Sequence, residues 1–254
     1  MSVAIFGDRA DVLACEERIV NCWPAPGTML IRGFAVRFAH GYSGRANSAS
    51  PIVIGAHLED SEIANIETLY REAGLSPIFR DTMLMTRTTR KRLDRRGYVL
   101  KDASFGMVAD LAGHAFLRRD DVEIAPAAGE EWLEGVSRFQ TPDKRSPAQL
   151  GAIVGAIRVP ARFATVRRDG RAIGFGYTAI DRGYAEIASV LLDPDARGQG
   201  IGRGLVETLL AEAAALGARH GFLQVEVNNR IAKALYQKLG FRDLYRYETL
   251  WRKD

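Results

Sequence analysis

Four glycines stand at alternate positions in ARGQGIGRG, at Gly198, Gly200, Gly202 and Gly204, and the apolar run after them has helical spacing. Glycine costs about 1 kcal/mol relative to alanine inside a helix, so its concentration at a helix entrance points to a need for bare backbone. Free N–H groups there, with the positive end of the helix dipole behind them, form an anion site, and phosphate is the obvious guest. Two well-known phosphate loops do not fit. The Walker pattern needs Gly-Lys-Ser/Thr after four spacers, and a dinucleotide fingerprint begun at Gly200 needs glycine where Leu205 stands.

Periodicity supplies the elements that must hold this loop. RFATVRRDG, RAIGFGYTAI and YAEIASVLL read as three β-segments, the first two joined by a turn at Asp169-Gly170, so an antiparallel meander runs into the loop through Asp193-Pro194. A helix over 200–217 carries Leu205, Leu209, Ala213 and Leu216 on one stripe and stops at Gly217. Strand FLQVEV (222–227), a helix from Asn229 to Leu239 and an extended segment to Trp251 complete the order β-β-β-α-β-α-β. Upstream, the loop IAPAAGEEW (124–132) precedes helical patterns at 131–139 and 146–157 and is the candidate domain boundary.

The first half echoes this order. IETLYREAGL resembles the long helix, SPIFRDT the next strand, and TTRKRLDRRGYVLKDASFGMVADL aligns by character with AKALYQKLGFRDLYRYETLW, which points to a duplicated fold. Its own loop position, AHLEDSEIANIETLY, has no glycine and carries Glu59, Asp60 and Glu62, which would repel a phosphate.

What fits the glycine loop is Arg-x-x-Gly-x-Gly, Arg197 to Gly202, followed downstream by Asn229-x-x-Ala232-x-x-Leu235-Tyr236 and Leu239-Gly240-Phe241. Over residues 160–252 the chain thereby resembles the GNAT superfamily of N-acetyltransferases. The resemblance implies an α/β (α+β) fold of two GNAT-like mixed-sheet domains in tandem, 1–125 degenerate and 126–254 with an intact site. It also implies acetyl-CoA as co-substrate, with no metal. By position, Arg197, Gly198, Gln199, Gly200, Ile201, Gly202 and Arg203 would hold the pyrophosphate. Backbone groups of Val190 and Leu192 would pair with the pantetheine arm like an added strand, and Asn229 would contact it.

Acyl transfer to an amine needs a neutral nucleophile, a polarised carbonyl and a proton for the departing thiolate. Glu186, six residues before Leu192, matches the spacing of the base in histone-acetylating members; the other reading is a strand glutamate facing solvent. An unshifted carboxyl near 4.3 is some six units too weak to deprotonate an ammonium near 10.4 directly, so either burial raises it or water relays the proton. Tyr236 stands where the family commonly has the tyrosine that protonates the thiolate; the other reading is aromatic packing. The amide of Leu192 would polarise the carbonyl.

Composition is that of a globular chain, 47% hydrophobic and 26% charged, and the excess of positive charge, +4, lies entirely beyond residue 125. No run is long enough to span a membrane and the N-terminus does not read as a secretory signal, so a cytoplasmic location is expected. Cys15 and Cys22 are expected as buried free thiols, and His40, His57, His114 and His220 share no metal-ligand spacing. RTTRKRLDRR (87–96) reads as a solvated helix with nucleic acid as the rival partner; AVRFAHGYSGRANS (35–48) is unusually polar and aromatic. The expected acceptor is a small-molecule or peptide amine. An aminoacyl transferase and a non-catalytic acyl-CoA sensor are the alternatives, and neither the acceptor's identity nor the oligomeric state is legible.

Overall fold

The computed structural model describes residues 7–140 and 146–252. The chain opens with α1 (Arg9–Cys22), followed by β1 (Gly27–Ile31), β2 (Phe34–Phe38), β3 (Ala49–Pro51), α2 (Asp60–Glu72), β4 (Ile78–Asp81), α3 (Arg87–Arg95) and β5 (Val99–Asp110). It continues with β6 (Val122–Ala125), α4 (Glu130–Phe139), α5 (Pro147–Gly155), β7 (Ala161–Arg168), β8 (Arg171–Asp181) and β9 (Tyr184–Leu192). Then come α6 (Ile201–Ala215), β10 (His220–Glu226), α7 (Arg230–Lys238) and β11 (Arg242–Trp251). Three strands, a helix, a strand, a helix and a strand occur twice in the same order, as the echo in the sequence predicts.

Contacts divide the chain into two compact units. One comprises the chain through Gly106 with Val225–Asn229 and everything from Asp243 on; the other comprises Met107–Gln224 and Arg230–Arg242. In the first, β1–β2 and β2–β3 pair antiparallel, β3 and β4 pair in parallel at Ala49 and Phe79, and β11 lies antiparallel to β4 with Thr249 opposite Arg80. In the second, β6–β7, β7–β8 and β8–β9 are antiparallel and β9 pairs in parallel with β10. Both are thus mixed sheets in which an antiparallel meander meets one parallel strand.

Local chemistry explains the second unit's elements. Asp169 (φ 50°) and Gly170 (φ 73°) both take the left-handed conformation that a two-residue turn between twisted strands requires. On α6, Leu205, Leu209 and Ala213 are fully buried, whereas Leu216, expected on the same stripe, is the C-cap residue and is 38% exposed. Alternation along β8 divides the sheet's faces. A side chain at Gly176 would meet Leu205 and Leu209, so Thr178 and Ile180 face α6; Phe175, Tyr177 and Ala179 face the other way, toward α4. There Trp132 donates its indole N–H to the Gly176 carbonyl at 3.2 Å and meets Phe163 edge-on.

In the first unit the basic helix α3 is an ion-pair hub. Arg90 binds Asp81, Asp94 and Glu248 at 2.6, 2.9 and 3.1 Å, Arg92 binds Glu59 at 2.5 Å, and Arg96 binds Glu67 at 2.6 Å. With Arg95 4.0 Å from Asp60, four of the six basic residues of the run pair within their own unit instead of facing solvent throughout. Cys15 and Cys22 are buried thiols that form no disulfide, and burial pushes the Cys15 thiol up to about 12.

Candidate active site

The glycine loop closes on Gly200, the N-cap of α6, at φ 76°. Gly198 is left-handed as well, at φ 75°, and a side chain at either position would meet nothing within 4 Å. These two residues therefore serve conformation and open approach. The cap makes no side-chain hydrogen bond and the first turn holds no acid. Helical bonding starts at Gly204 N–H to the Gly200 carbonyl, 3.2 Å, which leaves the amides of Ile201, Gly202 and Arg203 outside the ladder. Gln199 folds back, donating to the Asp195 carbonyl at 2.9 Å and accepting from Arg168 at 2.9 Å. Arg203 pairs with Glu207 at 3.0 Å, and Arg197 reaches the Leu192 carbonyl at 3.4 Å.

Gly202 and Gly204 have different reasons to be bare. A Cβ on Gly202 would lie 3.4 Å from Leu192 and 3.6 Å from Leu235, so this turn passes between the end of β9 and α7. At Gly204 it would lie 2.0 Å from Arg119 Cδ. Arg119 crosses the helix there, fixed by its own N–H to Thr208 Oγ1 at 3.1 Å and by a fork to Asp121. Alternate spacing in the sequence made one set of four; packing divides it.

Beside the loop, β9 and β10 form a fork. Their parallel register covers His220–Tyr184, Gly221–Ala185 and Phe222–Glu186 and goes no further, although β9 continues to Leu192. On the β8 side the register slips between Phe175 and Tyr177, with Ser189 at φ 52° as the extra, bulged residue of β9. Asp193 N–H bonds to the Ile173 carbonyl at 2.8 Å, toward β8. Successive strand amides alternate sides, so Leu192 N–H, and Val190 N–H with it, point to the edge that β10 has left. Nothing in the composition of YAEIASVLL announces the bulge.

Glu186 is the last paired residue before the fork and is fully buried. Its partner across β8 is Ala179, which puts the carboxylate on the α4 face with Tyr177 and not in solvent. Tyr236, on α7 directly after the Leu235 that reaches Gly202, is 8% exposed; burial pushes its hydroxyl up to about 12, and its ring meets Phe241 at 6.0 Å. Asn229 is exposed and closes a turn by donating its N–H to the Glu226 carbonyl at 2.9 Å, one residue before α7.

The corresponding entrance in the first unit is occupied by its own side chains. At α2, Glu59 N–H bonds the Glu62 carboxylate at 2.8 Å, and the Glu59 carboxylate takes His57 at 2.7 Å and Arg92 at 2.5 Å. Hydrogen bonds from His57 and the charge of Arg92 hold that carboxyl below its usual range. An acid-capped helix end of this kind has no use for a second anion.

Comparison with known proteins gives the family and the fold. Residues 9–250 match the family described as "Probable histone acetyltransferase Rv0428c C-terminal". The chain belongs to that family, and through it to the GNAT superfamily. A GCN5-related N-acetyltransferase from Kribbella flavida shares the fold with a TM-score of 0.66 at 16% identity, over 98% of this chain and 96% of that one. A tandem GNAT protein from the clavulanic acid pathway aligns over 75% of this chain and 68% of that one, with a TM-score of 0.60 at 15% identity. Among curated relatives, the IAA acetyltransferase of Azospirillum brasilense is 42% identical over 84 residues, 32% of this chain and 55% of its own. The [Ribosomal protein bS18]-alanine N-acetyltransferase of Escherichia coli K12 is 34% identical over 76 residues, 30% of this chain and 51% of its own. A mycothiol acetyltransferase of Streptomyces avermitilis is 34% identical over 84 residues, 32% of this chain and 27% of its own. The chain thus spans about half, or less, of the curated relatives it matches.

Proposed function

We propose that this GNAT member binds acetyl-CoA at the α6 entrance and transfers its acetyl group to a primary amine by direct attack in a ternary complex. The carrying observation is the fork, where β9 turns the amides of Val190 and Leu192 to an unpaired edge that ends at an uncapped helix. An extended pantetheine arm would add to that edge as a strand does, and its pyrophosphate would accept from the amides between Gly198 and Arg203. Arg197 and Gln199 would flank the diphosphate, and Asn229 would contact the arm. No metal enters the scheme.

Glu186 then takes the ammonium's proton, directly or through water, and the Leu192 amide polarises the thioester carbonyl. The amine nitrogen attacks that carbonyl, the C–S bond breaks, the Tyr236 hydroxyl donates to the departing sulfur, and the proton that the nitrogen sheds on becoming an amide returns through water to the tyrosine. With tyrosine near 12 and a free thiol near 8.5, full transfer is uphill by about 5 kcal/mol unless the thiolate is desolvated in the same pocket, which raises its own proton affinity. Until then Tyr236 acts as a hydrogen-bond donor to the developing charge.

In this reading the chain is a tandem, with a degenerate copy in 1–125 and the working copy in 126–254. The acceptor is a primary amine on a small molecule or a peptide; the ribosomal-protein relative's name specifies an alanine of ribosomal protein bS18 for that enzyme. The intact glycine loop argues against a tRNA-dependent alternative, and ion pairing of Arg90, Arg92 and Arg96 reduces the basic surface on which it would rest. The test is calorimetry of acetyl-CoA with the full chain and with Gly200→Glu, followed by thiol release across a panel of amines. Binding that is lost in Gly200→Glu, with amine-dependent thiol release, supports the reading. Equal affinity in the two proteins defeats the loop assignment, and binding without thiol release for any amine leaves a sensor.

A further inference from the structure

The polar segment 35–48 has a structural role that the acetyl-transfer reading does not use. Phe34 and Val36 on β2 point into the apolar cluster with Ile63, Ile66 and Tyr70. Strand alternation sends Ala35 and Arg37 to the opposite face. That face is polar and closed: Arg37 and Ser48 are fully buried, and Ser50, Arg80 and Glu16 are each 1% exposed. Glu16, on α1, accepts from Arg80 through both oxygens, at 2.7 and 3.0 Å, and from the Tyr245 hydroxyl. The Tyr247 ring lies 4.1 Å from the Arg80 guanidinium carbon. The carboxylate is fully engaged by these partners.

Arg37 is left over. Its Nη1 donates to the Trp23 carbonyl at 3.0 Å, while Nε and Nη2 are buried and have no hydrogen-bond partner among the described residues. Those two N–H groups lie parallel along one edge of the guanidinium, the edge that matches the two oxygens of a carboxylate. Arg80 leaves its Nε without a partner as well. Of the fully buried charges on this face, Arg37 and Arg80 are positive and Glu16 is negative, and Glu16 is already paired with Arg80, which leaves the charge of Arg37 in excess. Burial, together with Arg80, lowers the Arg37 guanidinium to about 10. Water would satisfy the donors and leave the charge uncompensated.

We propose that Arg37 binds the carboxylate of a small organic acid side-on, in a closed site beneath α1 of the first unit. A monocarboxylate matches the one excess charge, and because Arg37 is fully buried the ligand must enter when the cover over this face opens. Binding is accordingly slow compared with diffusion.

The test uses the full chain, equilibrated with millimolar acetate, inorganic phosphate or chloride at constant ionic strength, and reads melting temperature and calorimetric stoichiometry. Acetate is expected to raise the melting temperature saturably with one site per chain, chloride is not, and Arg37→Met abolishes the response without needing an anion for its own stability. No saturable acetate response, an equal response to chloride, or an undiminished response in Arg37→Met overturns the proposal; saturation by phosphate alone overturns the carboxylate assignment. Should Arg37→Met fail to fold, crystals of the wild-type chain grown with and without acetate decide the matter. Carboxylate-shaped density against the Arg37 guanidinium, present only with acetate, supports the site, and its absence there refutes it.

Discussion

Glu186 and Tyr236 show what a residue type and a spacing can and cannot say. Both positions were carried over from the family resemblance, but their environments could not be read, because burial depends on elements far away in sequence. Glu186 is enclosed because Ala179 and Phe222 flank it in the sheet. Tyr236 holds its proton up to about 12, so it is a donor throughout the neutral range. Tyr236→Phe is therefore expected to lower kcat by roughly a hundredfold while leaving acetyl-CoA affinity unchanged, as expected for a group that acts only on the departing thiolate. Steady-state rates beside calorimetric affinity check this, and an unchanged kcat would reduce the tyrosine to packing. Glu186→Gln is expected to shift the rate maximum to higher pH, where the amine sheds its proton unaided; an unaltered pH profile would remove the carboxylate from the mechanism.

Helix entrances are where the two units diverge, and here the sequence was most informative. Glycines at α6 and acids at α2 were visible as letters, and the structure adds what each does with its amides. The open α6 end requires Gly200 at φ 76°, a conformation that costs an ordinary side chain about 1–2 kcal/mol. Gly200→Ala should lower stability by about that much, with no clash since the surrounding space is empty, and a methyl over the amides should weaken acetyl-CoA binding more than it lowers the melting temperature. Parallel denaturation and binding curves separate the two effects. What the letters hid was the bulge at Ser189, because a left-handed residue in a strand is fixed by cross-strand pairing and not by its own type. The fork that exposes the Val190 and Leu192 amides was likewise invisible until the register was known.

At the scale of the molecule, the order of elements in the second half was readable to within a few residues, yet membership of the two units was not. Periodicity is local, and nothing in YRYETLW tells which sheet it will join. Four buried tyrosines, Tyr70, Tyr98, Tyr236 and Tyr245, are all raised by burial above the ordinary 10.0. The folded chain therefore binds protons more tightly than the unfolded chain above pH 10, and stability present below that value is lost as pH rises through the raised values. Melting temperatures that stayed level past pH 11 would contradict this. A stronger consequence follows from β11. By sequence it closes the second half, but its partner is β4, with Leu250 opposite Phe79 and both fully buried. A fragment of residues 126–254, cut at the boundary the loop suggests, would keep the α6 site and leave this strand with a bare edge and an uncovered apolar face. It is expected to aggregate, or to fold only when residues 1–125 are co-expressed, whereas removing the chain from Asp243 on should unfold the first unit despite lying at the far end of the sequence. A soluble, monomeric 126–254 fragment with a cooperative melt would mean that β11 finds an equivalent partner without β4.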